Sequence, residues 1–166
     1  MKTITFECQT ITPMFLAGAD GKTPELRPPS IKGAMRFWWR AMNGHLSLEE
    51  LKKKEVEIFG GGGDNAKRSK FNIDFEEIDK KEPYFNFFYG KEKFDDNIKY
   101  FAFTYFYHND NKNKNAFRPK MKFKVNFSSI NNEILTQAAD VFIITSLLGG
   151  LGMRERRGFG SFKINK

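Results

Sequence analysis

At 166 residues and 19.3 kDa, with 40% hydrophobic residues and 19 phenylalanines, the chain has the material for one hydrophobic core and is expected to form a single domain over 1–166. Twenty-eight Lys and Arg against 20 Asp and Glu leave a formal net charge of +8 and a pI near 9.5, a balance that suits a polyanion better than a neutral metabolite. The single cysteine, Cys8, excludes a disulfide framework and a Cys-based metal site. The N-terminus lacks the apolar core of a signal peptide and no apolar run approaches the ~18 residues of a membrane span, so a cytoplasmic protein without a membrane partner is expected.

Lys2 to Ile11 alternates, with Ile4, Phe6 and Cys8 on one face and Thr3, Thr5, Glu7 and Gln9 on the other, the period of a half-buried strand. A loop rich in Gly and Pro then reaches Ser30, which reads as the N-cap of a helix over "IKGAMRFWWRAMN" whose apolar face carries Ile31, Ala34, Met35, Trp38 and Met42. "SLEELKKKEVEIF" reads as a second, shorter helix, with Ser47 and Glu50 spaced as a capping box. "GGGGDNAKRSK" has no periodicity and reads as a flexible loop. It is not a phosphate-binding P-loop, because Ala66 precedes Lys67 and Arg68 follows it where that motif needs Gly and then Ser or Thr.

Three further alternating segments, Phe71 to Ile78, Lys99 to Tyr107 and Lys120 to Phe127, read as strands, and the stretches between them, "KKEPYFNFFYGKEKFDDN" and "HNDNKNKNAFRP", as loops. "NNEILTQAADVFIITSLLGG" places Ile134, Ala138, Val141, Phe142, Thr145 and Leu148 at helical spacing, with Glu133 in the first turn and Gly149 as stop signal. A short strand, "SFKIN", ends the pattern. The order is that of a split βαβ, ferredoxin-like α+β domain with one strand beyond the usual four: an antiparallel sheet covered on one face by two helices.

Arginine, unlike lysine, is concentrated. Six of the eight, Arg27, Arg36, Arg40, Arg154, Arg156 and Arg157, fall within 27–40 or 154–157. Guanidinium offers a rigid fork of donors that grips phosphate and stacks on flat rings, so clustered Arg is a sharper recognition signal than net charge. On the first helix Lys32, Arg36 and Arg40 recur every four residues as one basic stripe flanked by Phe37 and Trp39. Gly33 permits close backbone approach, and unpaired N–H groups at the helix N-terminus suit an anion. Near the C-terminus, "GGLGMRERRGFGSF" holds five glycines and three arginines in fourteen residues. There Gly149, Gly150, Gly152, Gly158 and Gly160 free the backbone to approach a ligand, Arg154, Arg156 and Arg157 meet phosphates, and Phe159 is available to stack on a base. The structural alternatives are a solvated helix face and a flexible connection from helix to strand.

"PSIKGAMR" followed by "EIFG", and later "LGGLGMRERRGFGSF", resembles the RAMP superfamily of CRISPR RNA-guided effector proteins, and the stretch from Thr12 to Ala41 is similar to the opening of the first-numbered subunit family of type III-B (Cmr) complexes. The resemblance implies a ferredoxin-like, RRM-related fold and a non-nucleolytic role near the 3′ end of the guide RNA. The implied partners are guide CRISPR RNA, target RNA and other RAMP subunits. Carried over by motif, the RNA-binding positions are Ser30, Lys32, Gly33 and Arg36 on the helix and Gly149, Gly150, Gly152, Arg154, Arg156, Arg157, Gly158 and Gly160 in the loop; Arg40 and Phe159 join them from the residue reading.

Two rival classes are weighed. "RGFGSF" approaches the RNP pattern of a stand-alone RRM-like binder, although Ser161 stands where that pattern has an aromatic. A metal-independent ribonuclease would draw on His45, His108 or Asp20. The two His are far apart in sequence and Asp20 in "GADGK" reads as a turn residue, so no catalytic residue, metal ligand or cofactor site is assigned.

Overall fold

The structure, a computed structural model, describes residues 1–21, 23–63, 66–78, 83–86 and 115–166. Its elements in chain order are β1 (Lys2–Thr10), α1 (Pro28–Met42), α2 (Leu48–Phe59), β2 (Asn72–Glu77), β3 (Tyr84–Asn86), β4 (Asn115–Phe117), β5 (Lys122–Ser129), α3 (Asn132–Leu148), a 3-10 turn at Glu155–Arg157, and β6 (Phe162–Ile164).

The main sheet has the order β2-β5-β1-β6, with every neighbour pair antiparallel. Because β5 runs against both β1 and β2, those two are parallel and separated by one strand. Because β1 runs against both β5 and β6, the same holds for that pair. These are two interlocked split βαβ units, α1 and α2 making the first crossover and α3 the second, which is the ferredoxin-like arrangement. Phe6 faces Val125, and Cys8 faces Phe123 and Ile164, so the apolar halves of the alternating strands register on one face.

That face and the helices bury one cluster. Phe142 of α3 lies 5.3 Å from Phe6, 5.1 Å from Phe127 and 5.3 Å from Phe162, while Phe59 of α2 reaches Phe71 at 5.5 Å and Trp39 of α1 at 6.1 Å. Ile31, Met35 and Trp39 of α1 and Leu135, Ala138, Val141 and Phe142 of α3 belong to the same cluster, so both helices cover the same sheet face. Aromatic pairs at these separations contribute ~0.5–1.5 kcal/mol each beyond the area they bury.

Several local expectations are corrected. Helix α1 begins at Pro28, not after Ser30; Arg27 occupies the N-cap without a side-chain hydrogen bond and two prolines open the helix, whose fixed φ suits the first turn. Trp39 rather than Trp38 sits in the core, 2% exposed, because Ile31, Met35 and Trp39 recur every four residues and set the buried stripe, leaving Met42 40% exposed. Strands β3 and β4 pair as a separate two-stranded sheet inside stretches read as loops. The strand expected at 99–107 lies outside the described residues. The capping box of α2 is present, Ser47 accepting from the Glu50 amide and Glu50 from the Ser47 amide, and Gly149 caps α3.

Candidate nucleic-acid interface

The glycine-rich loop is folded onto the connection between β1 and α1. Met153 donates its backbone N–H to the Phe15 carbonyl at 2.8 Å, Gly160 to Pro13 at 2.8 Å, and Leu151 to Gly160 at 2.9 Å, while Ile11 donates to Ser161 at 2.8 Å. The glycines serve this packing. A Cβ on Gly160 would overlap the Leu151 carbonyl, one on Gly152 the Phe15 carbonyl and one on Gly149 the Trp38 indole, and one on Gly150 would come within 2.6 Å of the Gly160 carbonyl. Only Gly158, at φ +84°, stands in open space, ending the 3-10 turn that Arg154 opens at φ +60°.

Loop flexibility and backbone approach to a ligand are therefore replaced, at four of the five positions, by close approach of the loop to its own protein. Phe159, expected to stack on a base, is instead 4% exposed and packs on Phe15 at 5.3 Å. The loop turns its charge outward: Arg156 and Arg157 are exposed, and Arg154 and Glu155 are half-buried beside them.

The basic stripe of α1 is a real alignment with a different destination. Arg40 donates from Nε and Nη2 to the two Glu55 carboxylate oxygens, 2.6 Å each. Arg36 donates to the Phe59 and Gly60 carbonyls at 3.1 and 2.6 Å and reaches Glu55 at 3.4 Å. Lys32 donates to the Phe71 carbonyl at 3.3 Å and lies 4.9 Å from that ring's centroid. Burial, with the charges of Arg36 and Arg68, holds the Lys32 ammonium below the ordinary lysine range, whereas the hydrogen bonds to Glu55 push Arg40 up. Arg36 and Arg40 brace α1 against α2, and Lys32 ties α1 to the residue that precedes β2. The helix N-terminus contributes no anion site either, since Pro28 and Pro29 carry no N–H and the Ser30 and Ile31 amides donate to the Arg27 carbonyl.

What remains is the face of α1 formed by Ser30, Gly33, Ala34 and Phe37, one helical turn apart in pairs and turned toward the loop. Together with Phe15–Gly18, Met153, Glu155 and Arg156 it lines a cleft of about 460 Å³. The Arg156 guanidinium sits 5.2 Å from the Phe37 ring centroid, and Arg156 is 69% exposed. Two of the residues singled out on the helix, Ser30 and Gly33, thus meet the loop, while Lys32, Arg36 and Arg40 do not. Phe37 flanks the stripe in sequence, but its place in the cleft follows only from where the loop folds back.

The matching family model is that of the RAMP superfamily, over residues 7–163. The chain belongs to the RAMP superfamily. As a RAMP chain it is 31% identical over 175 residues to the CRISPR system Cmr subunit Cmr1-2 of Pyrococcus furiosus, a match covering 96% of this chain and 93% of that protein. The crystal structure of apo Cmr1 from Pyrococcus furiosus superposes with a TM-score of 0.73 at 27% identity, covering all of this chain and 50% of that one. A subunit in the cryo-EM structure of the type III-B Cmr-beta complex bound to cognate target RNA shares the fold, with a TM-score of 0.57 at 16% identity over 99% of this chain and 58% of that one. The chain therefore spans nearly all of one relative and about half of each of the others.

In this RAMP chain the open sheet face carries Thr5, Glu7, Gln9, Asp74, Glu76, Lys122, Lys124, Asn126 and Lys163, with Lys124 3.9 Å from both Glu7 and Glu76. The strand positions on this face include no aromatic among the described residues, so these strands offer no stacking platform of the kind the RNP pattern needs; Phe162 points into the core at 1% exposure. Asp20 accepts the Thr23 amide and hydroxyl at 2.9 and 2.5 Å, holding a turn. His45 is exposed and His108 lies outside the described residues. Among the described residues there is no cluster of three or more His, Cys, Asp or Glu able to hold a metal ion, and no helix is long and apolar enough to cross a membrane.

Proposed function

We propose that this chain is a non-catalytic RNA-binding subunit of a type III-B Cmr RNA-guided effector complex, acting as a single ferredoxin-like RAMP domain in the cytoplasm. Its partners are guide CRISPR RNA, target RNA and other RAMP subunits, and its contact lies near the guide 3′ end. The observation that carries the reading is the 31% identity to a Cmr subunit over 93% of that protein's length. The geometry supports it: Arg156 lines a cleft that Ser30 and Gly33 also line, Arg154 and Arg157 lie on the same loop beside it, Gly149, Gly150, Gly152 and Gly160 pack the loop against the protein, and Gly158 ends its 3-10 turn. Guanidinium groups on an otherwise well-bonded loop contact phosphates at little conformational cost.

Chemistry on the RNA is not part of the role. Asp20 is engaged in its turn, and exposed His45 has as its charged neighbour Glu50, whose carboxylate is taken up by the Ser47 amide and hydroxyl in the capping box. The test is affinity purification of the tagged chain from its native cells followed by sequencing of bound RNA and identification of bound proteins. Repeat-derived guide RNA together with sister RAMP subunits is the expected result. Recovery of the chain without either overturns the reading, and cleavage of single-stranded RNA that disappears in Asp20→Ala or His45→Ala overturns its non-catalytic part.

A further inference from the structure

The cleft between α1 and the glycine-rich loop is poorly built for a phosphodiester. Its walls are largely apolar, contributed by Phe15, Leu16, Ala17, Ala34 and Phe37, and Glu155 sets a carboxylate 3.9 Å from Arg156, the cation of its lining. A phosphate entering it would lose hydration to apolar walls and find the charge of Arg156 already offset by Glu155. Its volume, about 460 Å³, falls in the range of small-ligand sites, ~300–1,000 Å³.

Four features suit a flat heterocycle instead. Phe37 is 44% exposed on the cleft wall, large for an aromatic side chain next to a core, and Arg156 lies over its ring at 5.2 Å, so a ring and a guanidinium plane stand together. Unstacked RNA bases are held on just such planes. Gly33 lies inside a helix, where glycine is disfavoured, yet its φ is ordinary and no atom lies within 4 Å of where its Cβ would sit, so neither backbone nor packing calls for it. The missing side chain leaves the cleft floor open. Ser30 lines the same floor with a hydroxyl that has no partner among the described residues, and the Glu155 carboxylate, 3.9 Å from Arg156 Nε, can accept from an amino group.

Resting on the RNA-binding reading above, we infer that this cleft takes a single unstacked nucleobase bearing an exocyclic amine, seated over Gly33 against Phe37, with Glu155 accepting a hydrogen bond from the amine. Cytosine N4 is such a donor, whereas uracil presents the O4 acceptor at the same place and faces the carboxylate unfavourably. The loop arginines then hold the backbone outside the cleft while the base enters it.

The experiment is fluorescence anisotropy on the full chain with labelled ten-nucleotide oligomers of equal charge: oligo(C), oligo(U) and an abasic ribose-phosphate strand. Oligo(C) should bind on the order of tenfold more tightly than the abasic strand and several-fold more tightly than oligo(U). Glu155→Gln should strengthen binding of both oligomers by removing a negative charge while shrinking the ratio between them, and Phe37→Ala should weaken oligo(C) binding without changing the salt dependence. Gly33→Leu, which fills the floor without touching the core, should abolish the advantage of oligo(C) over the abasic strand in a protein that melts normally. Equal affinity for oligo(C) and the abasic strand overturns the base site while leaving backbone binding intact. An equal shift of both oligomers in Glu155→Gln overturns the amine preference, and absence of binding to every strand overturns the RNA-binding reading beneath it.

Discussion

Glu55 decides what the first helix does with its charge. Its carboxylate, 7% exposed, is shared by Arg40 at 2.6 Å and Arg36 at 3.4 Å, and Arg36 continues to the carbonyls that end α2. Glu55→Ala should therefore destabilise the fold by about 2 kcal/mol, less than the ~3–5 kcal/mol of a fully buried pair because Arg40 is 53% exposed and partly recovers its hydration. Denaturant unfolding of the variant measures it; an unchanged midpoint would mean that the stripe is not a brace. At this scale the sequence showed the alignment of Lys32, Arg36 and Arg40 but not its partner, since nothing in α1 reveals that Glu55 of another helix faces it. The exchange of Trp38 for Trp39 has a similar origin: steps of three and four residues both keep a side chain on one face of a helix, and only the packed neighbour Phe59, itself seated on Phe71, chooses between them.

Among the elements, the glycine-rich loop carries the sharpest contrast. Gly160 and Gly158 both have positive φ, +66° and +84°, but a Cβ on Gly160 overlaps the Leu151 carbonyl whereas nothing lies near Gly158. Gly158→Ala should cost only the left-handed strain, ~1–2 kcal/mol. Gly160→Ala adds a backbone collision in a segment that hydrogen-bonds to Pro13 and Leu151, and should lower thermal stability by several degrees more or prevent folding. Equal melting temperatures for the two variants would contradict the packed loop. Glycine letters advertise freedom and close packing alike, so the sequence located this loop without saying which it uses. The capping box of α2 is local and was readable in Ser47 with Glu50, whereas Ser30 reads as a cap but lies inside α1, which two prolines open before it, and β3 and β4, three residues each, are too short to establish a period.

For the whole molecule, alternation in β1, β2 and β5 and the stripe of α3 were enough to read the split βαβ plan, because each of those elements buries one continuous face in the same core. Cys8 reports on that core. Burial pushes its thiol up to about 12, so it should resist thiol reagents at neutral pH in the native state and react fully once denatured. The same shift sets a sign: native and unfolded thiols are both neutral below pH 9, so the stability is intact there. As pH rises from about 9 to about 12, only the unfolded thiol ionises, and stability falls through that window. A Cys8→Ala variant should lack this part of the alkaline decline, and rapid labelling of native Cys8 would contradict the packed sheet.

The proposed division between a bracing helix and a loop that meets RNA is tested most directly by the salt dependence of single-stranded RNA affinity. Replacing Arg154, Arg156 and Arg157 together by Ala should weaken unrelated RNA sequences alike and flatten the slope of log affinity against log salt by ~0.7 for each phosphate that is no longer neutralised. Arg→Lys at the same positions should retain most of the slope at reduced affinity. Arg40→Ala, its charge already satisfied by Glu55, should leave the slope unchanged in a folded protein. A triple-Ala variant with an unchanged slope would contradict the account and assign the loop to an interface with a neighbouring protein subunit.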